Sequence, residues 1–161
     1  MNKKLLSLIL SIIMLLLMVN MVSAADHQLG LGFYDSNNGG WYNHYCLSGK
    51  YILSKQTAVQ GLLAGNYLGV KGMYNLKNDP NYNFYGYGKA GFFFNWGVEI
   101  GAGAGIEYFL FKALKATDVK ELERIGFMLD LGIDVQLYDY DDNKHSSSSG
   151  LGFGAGIHYY F

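Results

Sequence analysis

The chain has 161 residues, enough for one domain, and a formal charge of −1, so it lacks the basic stripe that a nucleic-acid partner demands. Charged residues make up 16% of it against roughly 25% in an ordinary soluble domain, while aromatics are also 16% and glycine occurs 22 times. The lone Cys46 excludes an intramolecular disulfide and offers no thiolate cluster to a metal.

The first 24 residues read as a secretory signal peptide. Lys3 and Lys4 form a positive start, Leu5 to Val19 an apolar run, and Val22-Ser23-Ala24 a small-residue cleavage site. The run is shorter than the roughly 20 residues a membrane-spanning helix needs. Residues 25–161 are then the functional domain, and no Cys follows the cleavage site to carry a lipid anchor. Beyond Ala24 no stretch is apolar enough for a membrane helix, so any spanning falls to strands.

From His27 onward the sequence alternates with a period of two, the mark of a strand with two unlike faces. In His27–Asp35, Leu29, Leu31 and Phe33 oppose Gln28, Gly30, Gly32 and Tyr34. Ser36 to Gly40 reads as a turn by its Asn and Gly content. Tyr45–Leu53 sets Tyr45, Leu47, Tyr51 and Leu53 against Cys46, Ser48, Lys50 and Ile52. Ser54-Lys55-Gln56 turns the chain into Thr57–Ala64, where Gln60 assigns the even positions to the polar side.

Tyr67–Leu76 places Leu68, Val70, Tyr74 and Leu76 opposite Gly69, Lys71, Met73 and Asn75. Residues 77–81 hold the only proline and form a turn. Asn83–Phe94 sets Phe84, Phe92 and Phe94 against Tyr85, Tyr87 and Lys89, and Val98–Phe111 sets Ile100, Ala102, Ala104, Ile106 and Tyr108 against Glu99, Gly101, Gly103, Gly105 and Glu107. Between residues 112 and 125 the alternation breaks. Asp118 and Glu121 have the spacing of a capping box, which predicts a short helical turn near 118–125. Phe127–Leu137 alternates cleanly, with Asp130 and Asp134 on its polar side. Residues 139–149 read as a polar loop, and the final strand carries Leu151, Phe153, Ala155, Ile157, Tyr159 and Phe161 on one face and mostly glycine on the other.

Eight strands in sequence predict an all-β, eight-stranded, antiparallel up-and-down transmembrane barrel. An even count puts both ends of it on one side. The connections at 35–44, 65–67, 95–97 and 138–149 then face outward and those at 54–56, 77–82 and 112–125 face the periplasm. The length of 112–125 sits badly with this, because such barrels usually keep their periplasmic turns short. Trp41, Tyr42, Tyr45, Trp96, Tyr138, Tyr140 and Tyr159 lie near strand ends, where an interfacial belt is expected.

The ions on the polar faces are few and ordered: Lys50, Lys71 and Lys89 first, then Glu99, Glu107, Asp130 and Asp134. An eight-stranded barrel is just wide enough for its own side chains. These seven groups are therefore expected to pair across a filled lumen, since unpaired they would be costly there.

The signal peptide, the eight alternating strands and the Tyr159-Tyr160-Phe161 end together resemble the small outer-membrane barrels of the OmpA/OmpX-like group. The segments Leu47–Tyr51, Thr57–Gly61 and Gly105–Tyr108 resemble little-characterised barrels of similar size. The resemblance covers nearly all of 25–161 but is structural. It implies the Gram-negative outer membrane as location, lipid as surroundings, and recognition of Ile157, Tyr159 and Phe161 by the barrel-assembly machinery. It brings no catalytic residue and no cofactor. The expectation is a monomer with a structural or surface-interaction role, porin-like in build but not a large pore.

Three rivals remain at this level. A lipid-modifying hydrolase would need His145 with Ser146, or His158 with Glu107, to meet an orienting third group. A narrow channel would use the inward ions as its path. A soluble secreted barrel would turn the apolar faces inward. The four histidines, at 27, 44, 145 and 158, have no metal spacing. Asp139, Asp141 and Asn143 open like a calcium loop, but Lys144 and Gly150 stand where its glycine and glutamate belong.

Overall fold

The computed structural model describes residues 29–38, 43–94, 97–115, 118–141 and 144–161. The signal-peptide segment, His27, Trp41, Tyr42, Trp96 and Asn143 lie outside these residues. Eight strands close on themselves in chain order: β1 Leu29–Asn38, β2 Asn43–Ile52, β3 Thr57–Leu63, β4 Tyr67–Asn78, β5 Tyr82–Phe93, β6 Gly97–Tyr108, β7 Ile125–Asp141 and β8 Lys144–Tyr160. Every neighbouring pair is antiparallel, and β1 pairs with β8 to complete the ring. Closure leaves no open edge around the body of the barrel, which is how an all-β chain satisfies its backbone without water. Among the described residues no helix is long and apolar enough to cross a membrane, which says nothing about crossing by strands.

The strands are staggered. Stepping between partners from Lys50 leads through Gln60, Lys71, Lys89, Gly101 and Asp134 to Gly150. Lys50 pairs with Gly30 near the start of β1, whereas Gly150 lies past the partner of Asn38 at its end. Such an offset means that the strands are tilted, as closure of a barrel requires. Twelve residues, the length of β4 to β6, at about 3.3 Å each and a tilt near 40° span on the order of 30 Å.

Three local expectations need correction. Residues 139–141 and 144–149 are strand, not loop: β7 and β8 stay paired from Tyr138↔Ser146 to Asp141↔Lys144, with a bulge between Asp139 and Asp141. The same regular pairing puts Asp139 and Asp141 in a ladder instead of an ion-binding loop. Because β6 reaches β7 only as far as Tyr138 and β1 reaches β8 only as far as Gly152, the tips of β7 and β8 stand above the rim as a two-stranded ribbon. Second, β1 runs through the expected turn to Asn38, so Asp35 and Asn37 alternate with the inward Tyr34 and Ser36. Third, the helical turn expected near 118–125 is present as a 3₁₀ turn at Lys120–Arg124, but the β6–β7 connection also holds a short helix, α1 (Leu110–Leu114), and the expected cap differs. The turn is capped by Val119, whose carbonyl accepts the Leu122 N–H at 3.1 Å, and Asp118 makes no capping bond. With only one turn to stabilise, a side-chain cap has little helix to serve.

Candidate functional site: the ionic bore

Within the body of the barrel the described side chains alternate between the bore and the outer surface, and they do so with inverted polarity. Leu131, Ile133 and Ile157 are 53%, 61% and 40% exposed, whereas Lys71 and Asp130 are 0% and 6% exposed. A water-soluble barrel has the reverse arrangement, and the outer face far exceeds the apolar patch a soluble monomer tolerates.

All seven ionic residues singled out above are buried in the bore, where they form three tiers. At the end carrying α1, Lys50 Nζ donates to Glu107 Oε2 at 2.6 Å, and the Tyr160 hydroxyl donates to Glu107 Oε1. In the middle, Lys71 Nζ donates to Asp130 Oδ2, which also accepts the Tyr34 hydroxyl at 2.7 Å. Asp130 Oδ1 accepts the Tyr85 hydroxyl, also at 2.7 Å. The Lys71 ammonium stands 4.6 Å from the ring centroids of both Tyr34 and Tyr87, so it is held by charge and by aromatic faces together. In the third tier Lys89 Nζ bridges Glu99 Oε1 at 3.1 Å and Asp134 Oδ2 at 2.9 Å and donates to Ser36 at 3.3 Å. The Tyr67 hydroxyl completes it by donating to Glu99 Oε2 at 2.8 Å.

The wall strands position these groups. The three lysines come from β2, β4 and β5, and the four carboxylates from β6 and β7, so the cations and the acids occupy two arcs of the wall that meet at β5 and β6. Glycines supply the room. A Cβ at Gly105 would overlap Asp130 Oδ1 and the Tyr85 hydroxyl, and one at Gly101 would overlap Asp134 Oδ1. On β8, a Cβ at Gly152 would strike Asp134 and one at Gly154 the Tyr34 hydroxyl. The poly-glycine face of the last strand is thus the floor against which the acids and tyrosines lie.

Sequence reasoning picked out the ions but not their phenolic partners: Tyr34, Tyr67, Tyr85 and Tyr160 each donate to a carboxylate. Their inward parity was the available signal. It also missed one pair. His158 Nε2 lies 2.7 Å from Ser48 Oγ, which accepts Gln60 Nε2 at 2.7 Å. The hydrogen-bond partner of His158 is therefore Ser48 and not Glu107. Both residues are sealed in the bore, at 0% and 3% exposure. Ser146 lies on the β8 limb of the ribbon.

On the outside, Tyr51, Tyr74, Tyr108 and Tyr159 come one from each even-numbered strand and ring the barrel near the α1 end. Of the residues expected in a belt, Tyr159 belongs to this ring and Tyr45 is exposed toward the opposite end.

Fold and site together define a closed, membrane-compatible eight-stranded barrel with an apolar exterior and an ion-filled bore. It is similar to the solution NMR structure of the de novo designed TMB2.3, with a TM-score of 0.52 and 14% identity over 87% of this chain and 98% of that one. At that identity the likeness is one of fold alone. No protein-family model and no curated protein matches the chain.

Proposed function

We propose that the chain is an integral outer-membrane protein of a Gram-negative envelope, related in build to the OmpA/OmpX-like barrels. In this reading the sealed barrel anchors the β7–β8 ribbon and presents it for surface interaction. The observation that carries the reading is the inversion of polarity: exposed Leu, Ile and Phe rows outside, with Lys71, Glu107 and Asp130 buried inside. In hydrocarbon the outer rows cost nothing, and the tyrosine ring supplies the interfacial anchor such barrels use.

The three tiers support a plug over a pore. Each lysine is neutralised by a carboxylate of β6 or β7, and the tyrosines fill the space between. The signal peptide at 1–24 supports export. The outward, exposed Ile157 and Phe161 with Tyr159 between them are the pattern offered to barrel-assembly machinery. Lipid is then the main partner, with the barrel as a monomer.

Membrane fractionation with heat-modifiability tests this. The protein should enter the outer-membrane fraction, require detergent for extraction, and migrate differently before and after boiling. Recovery from the periplasm without detergent would overturn the reading.

A further inference from the structure

The apolar exterior has a gap between β3 and β6. In two adjacent rows the outward positions lose their side chains: Val59, Gly72, Gly88 and Ala102 are successive partners, as are Tyr74, Gly86 and Ala104. The result is a groove of about 450 Å³ floored by Gly72, Gly86 and Gly88 and walled by Leu53, Val59 and Tyr74. Its lining is almost wholly apolar, and it opens toward the α1 end beside the β2–β3 and β4–β5 turns.

Those two turns are tied together and carry positive charge. The Asn75 and Asn78 side chains both donate to the Lys55 carbonyl, the former at 3.2 Å, and the Asn75 N–H donates to Gln56 O at 2.7 Å. This fixes the Lys55 turn against β4, and the Lys55 side chain is exposed. Lys77, also exposed, has its ammonium 5.3 Å from the Tyr82 ring centroid. Asp79 is the nearby acid, and it accepts the Asn81 N–H at 3.2 Å.

We infer that this groove is a binding site for an anionic glycerophospholipid, its acyl chain lying over the glycine floor and its phosphate at Lys55 and Lys77. The inference rests on the membrane reading above. It is carried by the combination of an apolar trough and two cations at the mouth of that trough. A self-association face would leave both lysines facing their own copies or open solvent.

Glycine permits a clean test. A Cβ at Gly72 meets nothing within 4 Å, and one at Gly88 only the Gly101 carbonyl at 4.0 Å, so Gly72→Leu and Gly88→Leu fill the trough without disturbing the wall. The protein and the double variant are purified from membranes. Native mass spectrometry then follows retention of added phosphatidylglycerol against phosphatidylethanolamine, with heat-modifiability recorded on the same samples. The parent should retain phosphatidylglycerol preferentially and the leucine variant should lose it. Lys55→Gln with Lys77→Gln should weaken phosphatidylglycerol retention roughly 25-fold, at about fivefold per lysine near an anionic headgroup, and leave phosphatidylethanolamine unchanged. Equal retention by parent and leucine variant would overturn the inference, as would a parent dimer that the leucines convert to monomer. Absence of heat-modifiability in the parent would instead strike the membrane reading itself.

Discussion

Lys71 and Lys89 stand directly opposite one another on β4 and β5, both pointing into the bore. Like charges in that relation repel. The pairing is tolerable because each ammonium has its own acid, Asp130 on β7 for Lys71 and Glu99 on β6 with Asp134 on β7 for Lys89. Cross-strand repulsion is thereby offset by attraction to the acidic strands β6 and β7.

Lys71→Met should therefore be severe. It strands the Asp130 carboxylate in a closed space, a change that costs about 3–5 kcal/mol when a buried pair loses one partner. Adding Asp130→Asn removes the charge while keeping an acceptor for a tyrosine, and should restore much of the loss. Urea titration of the gel-shifted folded form measures both.

The two classes of glycine should respond in opposite ways. Gly105→Ala drives a methyl into Asp130 and Tyr85 and should cost about 1–3 kcal/mol. Gly72→Ala enters open space on the outer face and should be neutral or stabilising by up to about 1 kcal/mol. The midpoint of the heat-induced mobility shift ranks them.

Planar bilayers should record no stepwise conductance from the parent barrel, since all three tiers obstruct the bore. Tyr85→Ala combined with Tyr87→Ala removes two rings that crowd the middle tier, and it should raise ion leakage above the parent. A parent with discrete openings would favour the channel.

Cys46 is 1% exposed and faces the bore. It should resist a water-soluble maleimide in the folded barrel and react within minutes once the barrel is boiled in detergent. Mass spectrometry of the labelled chain reads the difference.

The ribbon should be dispensable to the barrel. Residues 139–141, 144 and 145 pair only within the β7–β8 hairpin, so replacing 139–145 with an Asn-Gly turn joining Tyr138 to Ser146 should change stability by no more than about 0.5 kcal/mol, read from the heat-shift midpoint. Any surface binding carried by the ribbon should disappear with them.

The strands were legible because burial is settled residue by residue: Leu129, Leu131 and Ile133 on one face of β7 and Asp130, Gly132 and Asp134 on the other need no knowledge of their neighbours. Pairing partners are a different matter. That Lys50 meets Glu107, and that His158 meets Ser48, depends on the stagger accumulated around the ring, which no single strand records. The ribbon was misread for a related reason. Ser146 to Ser149 carry turn-forming side chains, yet their backbone is held by Val135 to Tyr138 opposite. Ladder bonding overrode local preference.

The tiers also bear on how the molecule is made. Lys50 and Glu107 are 57 positions apart in the chain, Lys71 and Asp130 are 59, and Tyr34 and Asp130 are 96. Only Lys89 finds an acid within its own hairpin, Glu99 on β6, so a half-built barrel released into hydrocarbon would carry the naked ammonium groups of Lys50 and Lys71. Contacts this distant in sequence also form slowly. Insertion and ring closure must then coincide, with β1 and β8 zipping together as the last carboxylates reach their cations.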